Sequence, residues 1–227
     1  MAPWQDWADA HASGLSVASI VDRLMRAGRG ADEGIPEIDD RLEGSFSIES
    51  TETRTSAVLV CLFEGEGPEL ILTRRAAHLR HHRHEVAFPG GRSEPGESLD
   101  MTAVREAHEE VGLNPAEVMV HGFLTPIFTM ASQSAIWPVI ASYPRRPDFL
   151  IDPNEVDRAF TVSVAHLLDP ENFVEQRWTR PTTRPTAPDG SFPVHFYRVP
   201  EDLIWGATAR IITDLLSTLA KDSVKFT

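Results

Sequence analysis

Apolar positions in residues 4–27 recur at three- and four-residue spacing, at Val17, Ile20, Val21 and Leu24, which predicts a helix over that stretch. Residues 28–43 are rich in Gly, Asp and Glu and predict a linker or loose loop. A nearly continuous apolar run at 56–63, the turn 64–68 and a second run at 69–73 predict a β-hairpin. Residues 85–88 predict a short third strand that enters Pro89-Gly90-Gly91. From 100 to 111 the period changes: Leu99, Ala103, Ala107 and Val111 recur every four residues and form one helical stripe, with Gly112 placed for a left-handed cap. Residues 118–128 and 136–143 read as strands, and 157–168 fits either a strand or a short helix. Residues 180–190 have the Pro and Thr chemistry of an exposed insertion, and 204–220 predicts a closing helix. Strands interleaved with substantial helices imply an α/β protein, a mixed sheet with helices on its faces.

Composition narrows the class. The chain has 227 residues, enough for one medium domain with terminal additions and a core that needs no staples. The single cysteine, Cys61, lies in the first apolar run, which predicts a small buried hydrophobe. No stretch approaches the roughly 20 apolar residues of a membrane helix. The first ten residues carry Asp6 and Asp9 and no basic region, so neither a membrane nor a secretory destination is expected, and the predicted location is cytoplasmic. A formal net charge of −13 disfavours nucleic acid as a partner. Residues 73–92 run against that balance, with five arginines and four histidines against Glu85, an island suited to a small polyanion.

The chemistry concentrates in residues 91–113, GRSEPGESLDMTAVREAHEEVGL. On a helix, Glu106, Glu109 and Glu110 stand at i, i+3 and i+4 and share one face, where three like charges repel. A hard divalent cation gives such a cluster a purpose, since Mg²⁺ takes carboxylate, water and phosphate oxygens. Glu97, in the preceding loop, can reach the same face. Gly91, Glu97, Arg105, Glu106, Glu109, Glu110, Gly112 and Leu113 match the pattern G-x5-E-x7-R-E-U-x-E-E-x-G-U, with Ala107 where the first bulky aliphatic is expected. The chain therefore resembles the Nudix hydrolases. That resemblance implies an α/β/α sandwich around a mixed β-sheet, Mg²⁺ or Mn²⁺ as cofactor, and a small-molecule nucleotide as substrate. It further implies Glu106, Glu109 and Glu110 as metal ligands, Glu97 as an accessory ligand and Arg105 as the group that orients them. Glu106 and, from the loop at 152–155, Glu155 are the candidates for general base.

A second resemblance lies upstream. Ile71-Leu72-Thr73, Arg75, Ala76, Arg80 and Phe88-Pro89-Gly90-Gly91 fall where coenzyme A pyrophosphatases carry their signature, and His84 replaces its glycine. Residues 204–209 also look like that subfamily's closing helix. This implies hydrolysis of the diphosphate of coenzyme A or an acyl derivative, with Arg75 and Arg80 binding phosphate and Phe88, Gly90 and Gly91 at the substrate. The alternatives are another nucleoside diphosphate derivative, such as ADP-ribose, NADH or a nucleoside triphosphate, or a non-hydrolytic binding module. His78, His81, His82 and His84 are spaced too tightly in one loop for a zinc site. His108 is expected to face solvent and Trp205 to pack. The expected organisation is an N-terminal helix and linker, 1–50, on a Nudix domain, 51–227, as a monomer or homodimer.

Overall fold

The computed structural model describes residues 2–27, 54–79, 83–129, 134–179 and 191–221. The linker at 28–43, the insertion at 180–190 and the site candidates Arg80, His81 and His82 lie outside the described residues, as does the domain boundary at residue 50.

The central strand is β1 (Arg54–Glu64), and the sequence makes it central by burying both of its faces. Val60 and Leu62 point into one core cluster, whereas Ala57, Leu59, Cys61 and Phe63 point into the other. β2 (Pro68–Arg75) folds back on it as the expected hairpin, with Leu62 opposite Leu70. β3 (Val86–Ala87) lies beside β2, and β4 (Gly90–Arg92) runs antiparallel to the start of β1. After the helix α3 (Leu99–Val111) come β5 (Met119–Phe123), β6 (Ile127–Thr129) and β7 (Ser134–Tyr143). β7 pairs with β1 in parallel over ten positions, which makes the sheet mixed. β8 (Val156–Ser163) pairs with β2 and continues directly into the short helix α4 (Val164–Leu168), so the ambiguous stretch 157–168 is both things in turn.

α3 (Leu99–Val111) covers one face of the sheet through the expected stripe, with Ala103, Ala107 and Val111 fully buried. The other face carries α1 (Gln5–His11), α2 (Val17–Arg26), α4 and α5 (Gly206–Lys221). The result is an α/β/α sandwich. Two expectations are corrected here. Residues 4–27 form two helices, because Ser16 adopts extended backbone and its hydroxyl accepts the Ser19 N–H, starting a new helix after a 3-10 turn at Ala12–Gly14. The closing helix begins at Gly206, where a left-handed φ of 64° breaks it from the preceding strand.

A second sheet was not foreseen: β9 (Phe173–Thr179), β10 (Ser191–Val199) and β11 (Asp202–Ile204), antiparallel in the order β11-β10-β9. It joins the same core cluster as the N-terminal helices. Trp4 lies stacked on Tyr197 with 6.1 Å between ring centroids and donates its indole N–H to the Leu168 carbonyl at 3.2 Å. Among the described residues no helix is long and apolar enough to cross a membrane.

Candidate active site

α3 faces two ways: its apolar stripe holds it on the sheet, and its last two turns present acids toward the glycine pair that opens β4. Arg105 organises them. Its Nε donates to Glu97 at 2.8 Å, and Nη1 donates to Glu106 at 3.0 Å and Glu109 at 2.9 Å. Nη2 donates to Glu97 at 3.1 Å and to the Arg92 carbonyl at 3.1 Å. These hydrogen bonds hold the Glu97 carboxyl down at about 2, helped by the Thr102 hydroxyl and the Glu94 N–H.

Glu106 and Glu110 differ in kind from Glu97. Burial pushes Glu106 up, against the pull of Arg105, and the charges of Glu109 and Glu155 add to the rise. Glu110 is only 3% exposed, and burial pushes its carboxyl up to about 8. Its compensation is slight: Arg75 at 3.9 Å and the Gly90 N–H at 3.3 Å. The glycine pair is what lets these acids come so close. A Cβ on Gly91 would lie 2.4 Å from the Glu106 carboxylate, and one on Gly90 would lie 2.4 Å from the Ala57 carbonyl oxygen. Glu109 is more than half exposed and projects outward.

The donor set fits a divalent cation. Three carboxylates share a helix face, and the deepest of them, Glu110, is too poorly compensated to ionise readily until positive charge arrives, which a cation would supply. Among the described residues no three such side chains converge on one point as they stand, because Glu97, Glu106 and Glu109 are turned onto Arg105.

Two loops form the rim. The β2–β8 ladder shifts register between Arg74 and Arg75, and the shift separates their roles. Arg74 pairs with Asp157 at 2.5 Å, and Arg75 reaches Glu110. Glu155 is exposed on the loop that docks against the end of α3 through Asp152 N–H to the Glu110 carbonyl, 3.0 Å. The two rims are tied together by Ala76 N–H to the Glu155 carbonyl at 2.8 Å and by His78 Nε2 to the Asn154 carbonyl at 3.0 Å.

Two further assignments change. Phe88 is 2% exposed within the hydrophobic core, so its ring packs there instead of meeting substrate. Trp205, expected to pack, is 40% exposed. His84 has a φ of 60°, the left-handed conformation a glycine would take, with its side chain exposed. Thr102 was overlooked, although it lies inside the motif one helical turn before Arg105. It is buried and its hydroxyl lies 2.8 Å from Glu97. His108 is exposed, as expected.

The class that emerges is an α/β/α sandwich with an acidic helix closing one side. The NUDIX domain pattern matches residues 53–189, more than half of the chain. A protein of Photorhabdus laumondii named uncharacterized Nudix hydrolase NudL is 34% identical over 167 residues, covering 73% of this chain and 85% of that one. Nudix hydrolase 3 of Caenorhabditis elegans is 29% identical over 187 residues, 78% of each chain. A C. elegans Ap4A hydrolase structure superposes with a TM-score of 0.42 at 22% identity, over 48% of this chain and 79% of that one. This chain belongs to the Nudix family.

Proposed function

We propose that this Nudix hydrolase cleaves the diphosphate bridge of coenzyme A or an acyl-coenzyme A, giving 3′,5′-ADP and 4′-phosphopantetheine or its acyl form. The observation that carries the catalytic half is the under-compensated Glu110 carboxylate, set beside Glu106 and Glu109 and facing Arg75. In this reading Glu106, Glu109 and Glu110 hold Mg²⁺ or Mn²⁺, with Glu97 held back by Arg105 as an accessory ligand. A bound divalent ion there neutralises diphosphate oxygens and acidifies a water. Arg75 supplies a guanidinium for a phosphate oxygen at the same spot. The proton released when water attacks phosphorus needs an acceptor. Glu155 is exposed and carries no ion pair among the described residues, whereas Glu106 is bonded to Arg105. Both stay in play as the base, since an ion binding to the cluster changes what Arg105 holds.

The substrate half is supported by the upstream signature, and the left-handed backbone at His84 keeps the turn that a glycine would make there. Incubation with coenzyme A and Mg²⁺ or Mn²⁺, with product separation, tests it beside ADP-ribose, NADH and nucleoside triphosphates. The expected result is metal-dependent release of 3′,5′-ADP. Turnover of another member of the panel with coenzyme A left intact would overturn the substrate. Glu109→Gln should lower kcat at least about a hundredfold while circular dichroism stays unchanged, since a ligand to the cation is lost and nothing in the core moves.

A further inference from the structure

β9 and β10 run on together as a ribbon in which β10 stays largely half-buried and β9 becomes exposed. From Glu175 to Thr179 five consecutive residues of β9 are exposed, so both faces of the strand meet solvent. β11 pairs with β10 only at Tyr197, Arg198 and Val199, so among the described residues 191–196 have β9 as their only strand partner. A two-stranded ribbon is marginal in water and gains stability from a further strand.

Among the described residues the ribbon has two outer edges, and they differ. The β10 edge carries Pro193, which has no N–H to offer a ladder and is tolerated in a strand where that missing donor faces outward. β9, read Phe-Val-Glu-Gln-Arg-Trp-Thr, has no proline.

Among registers centred on the exposed polar residues 175–177, charge then selects one for self-pairing. Residues directly opposed in an antiparallel pair point to the same face, so a two-fold axis normal to the sheet must pass at a residue and not between two. Centred on Glu175, the strand would set that acid against its own copy, and centred on Arg177 it would set arginine against arginine. Centred on Gln176, each Glu175 faces the other copy's Arg177, and each Val174 faces Trp178. Opposite charges and aromatic–β-branched neighbours are favourable cross-strand pairs, and like charges are unfavourable. The same register covers the Trp178 ring, which is 43% exposed.

We propose that β9 is the pairing edge for a second copy of this chain, antiparallel about a two-fold axis at Gln176, which joins two three-stranded sheets into one six-stranded sheet. Sedimentation of the full chain at micromolar concentration should show a dimer. Glu175→Arg and Arg177→Glu should each raise the dimer dissociation constant at least about tenfold, because each sets two like-charge pairs across the axis. The double variant restores opposite charges and should return to the wild-type value. Both single changes also disturb contacts within the ribbon, Glu175 with His195 at 3.4 Å and Arg177 with Ser191 at 2.8 Å. The double variant disturbs both, so a purely local effect leaves it as impaired as the singles. Gln176→Cys should form a disulfide-linked dimer on mild oxidation, whereas the buried Cys61 of the parent chain should not. A monomeric wild type, singles that dimerise normally, an unrescued double variant or a Gln176→Cys chain that does not cross-link would each overturn the proposal.

Discussion

A carboxylate out of water, close to two others, destabilises the fold that contains it unless positive charge is near. Glu110 makes this measurable. Unfolded, it titrates near the ordinary value of about 4.3, and folded without metal it keeps its proton up to about 8. Between those values the folded state binds more protons than the unfolded one, so stability falls as pH rises through that window. In chelator, the urea midpoint of the wild type should decline from pH 4.5 to 8 relative to Glu110→Gln, and saturating Mg²⁺ should remove the decline. Parallel curves for the two proteins would refute the assignment of that burden to Glu110. His84 carries a different local cost. Left-handed backbone disfavours a residue with a Cβ by roughly 1 kcal/mol, so His84→Gly should raise stability by up to about 1 kcal/mol, read by urea unfolding.

At the scale of one element, α3 depends on how it ends. Gly112 has a φ of 76°, and a Cβ there would lie 2.7 Å from the Leu150 Cβ. Gly112→Ala should therefore cost about 1–3 kcal/mol and shift the loop that carries Glu155, lowering kcat even though no acid is altered. This element was the most legible in the sequence, because its stripe, its cap and its acids all depend on short-range spacing. β1 and β2 were legible for a related reason, as apolar runs around a Gly-Pro turn. β9 and β10 were not. β9 exposes Glu175, Gln176, Arg177, Trp178 and Thr179 in succession and so shows no two-residue alternation, and Pro193 interrupts β10. Within the candidate site, the shared face of Glu106, Glu109 and Glu110 could be read from spacing, whereas the roles expected of Glu97 and Arg105 came from the resemblance to the Nudix motif. The tie between His78 and Asn154 spans 76 residues, and no local pattern records it. Phe88 misled because Gly90 and Gly91, close by in the motif, lie against Glu110 and Glu106 while its own ring packs in the core.

The whole molecule is held by contacts between its distant parts. Trp4, 1% exposed, packs on Phe173 and Tyr197, and Tyr197 in turn shares a 2.9 Å hydrogen bond with Thr213 of α5. Trp4→Ala should cost about 3–5 kcal/mol by the loss of a buried indole. Cys61 offers the readout, since burial pushes its thiol up to about 12 and leaves it unreactive in the folded state. Its labelling at pH 8 then reports unfolding and should quicken at least about a hundredfold in Trp4→Ala. The Trp4–Tyr197 stack also bears on biosynthesis. A ribosome makes the tryptophan first and the tyrosine nearly two hundred residues later, and β1 likewise waits for its parallel neighbour β7. A nascent chain therefore holds Trp4 without its aromatic partners Phe173 and Tyr197 until both have been made. Contacts across so many residues slow folding and leave the growing chain open to aggregation for longer.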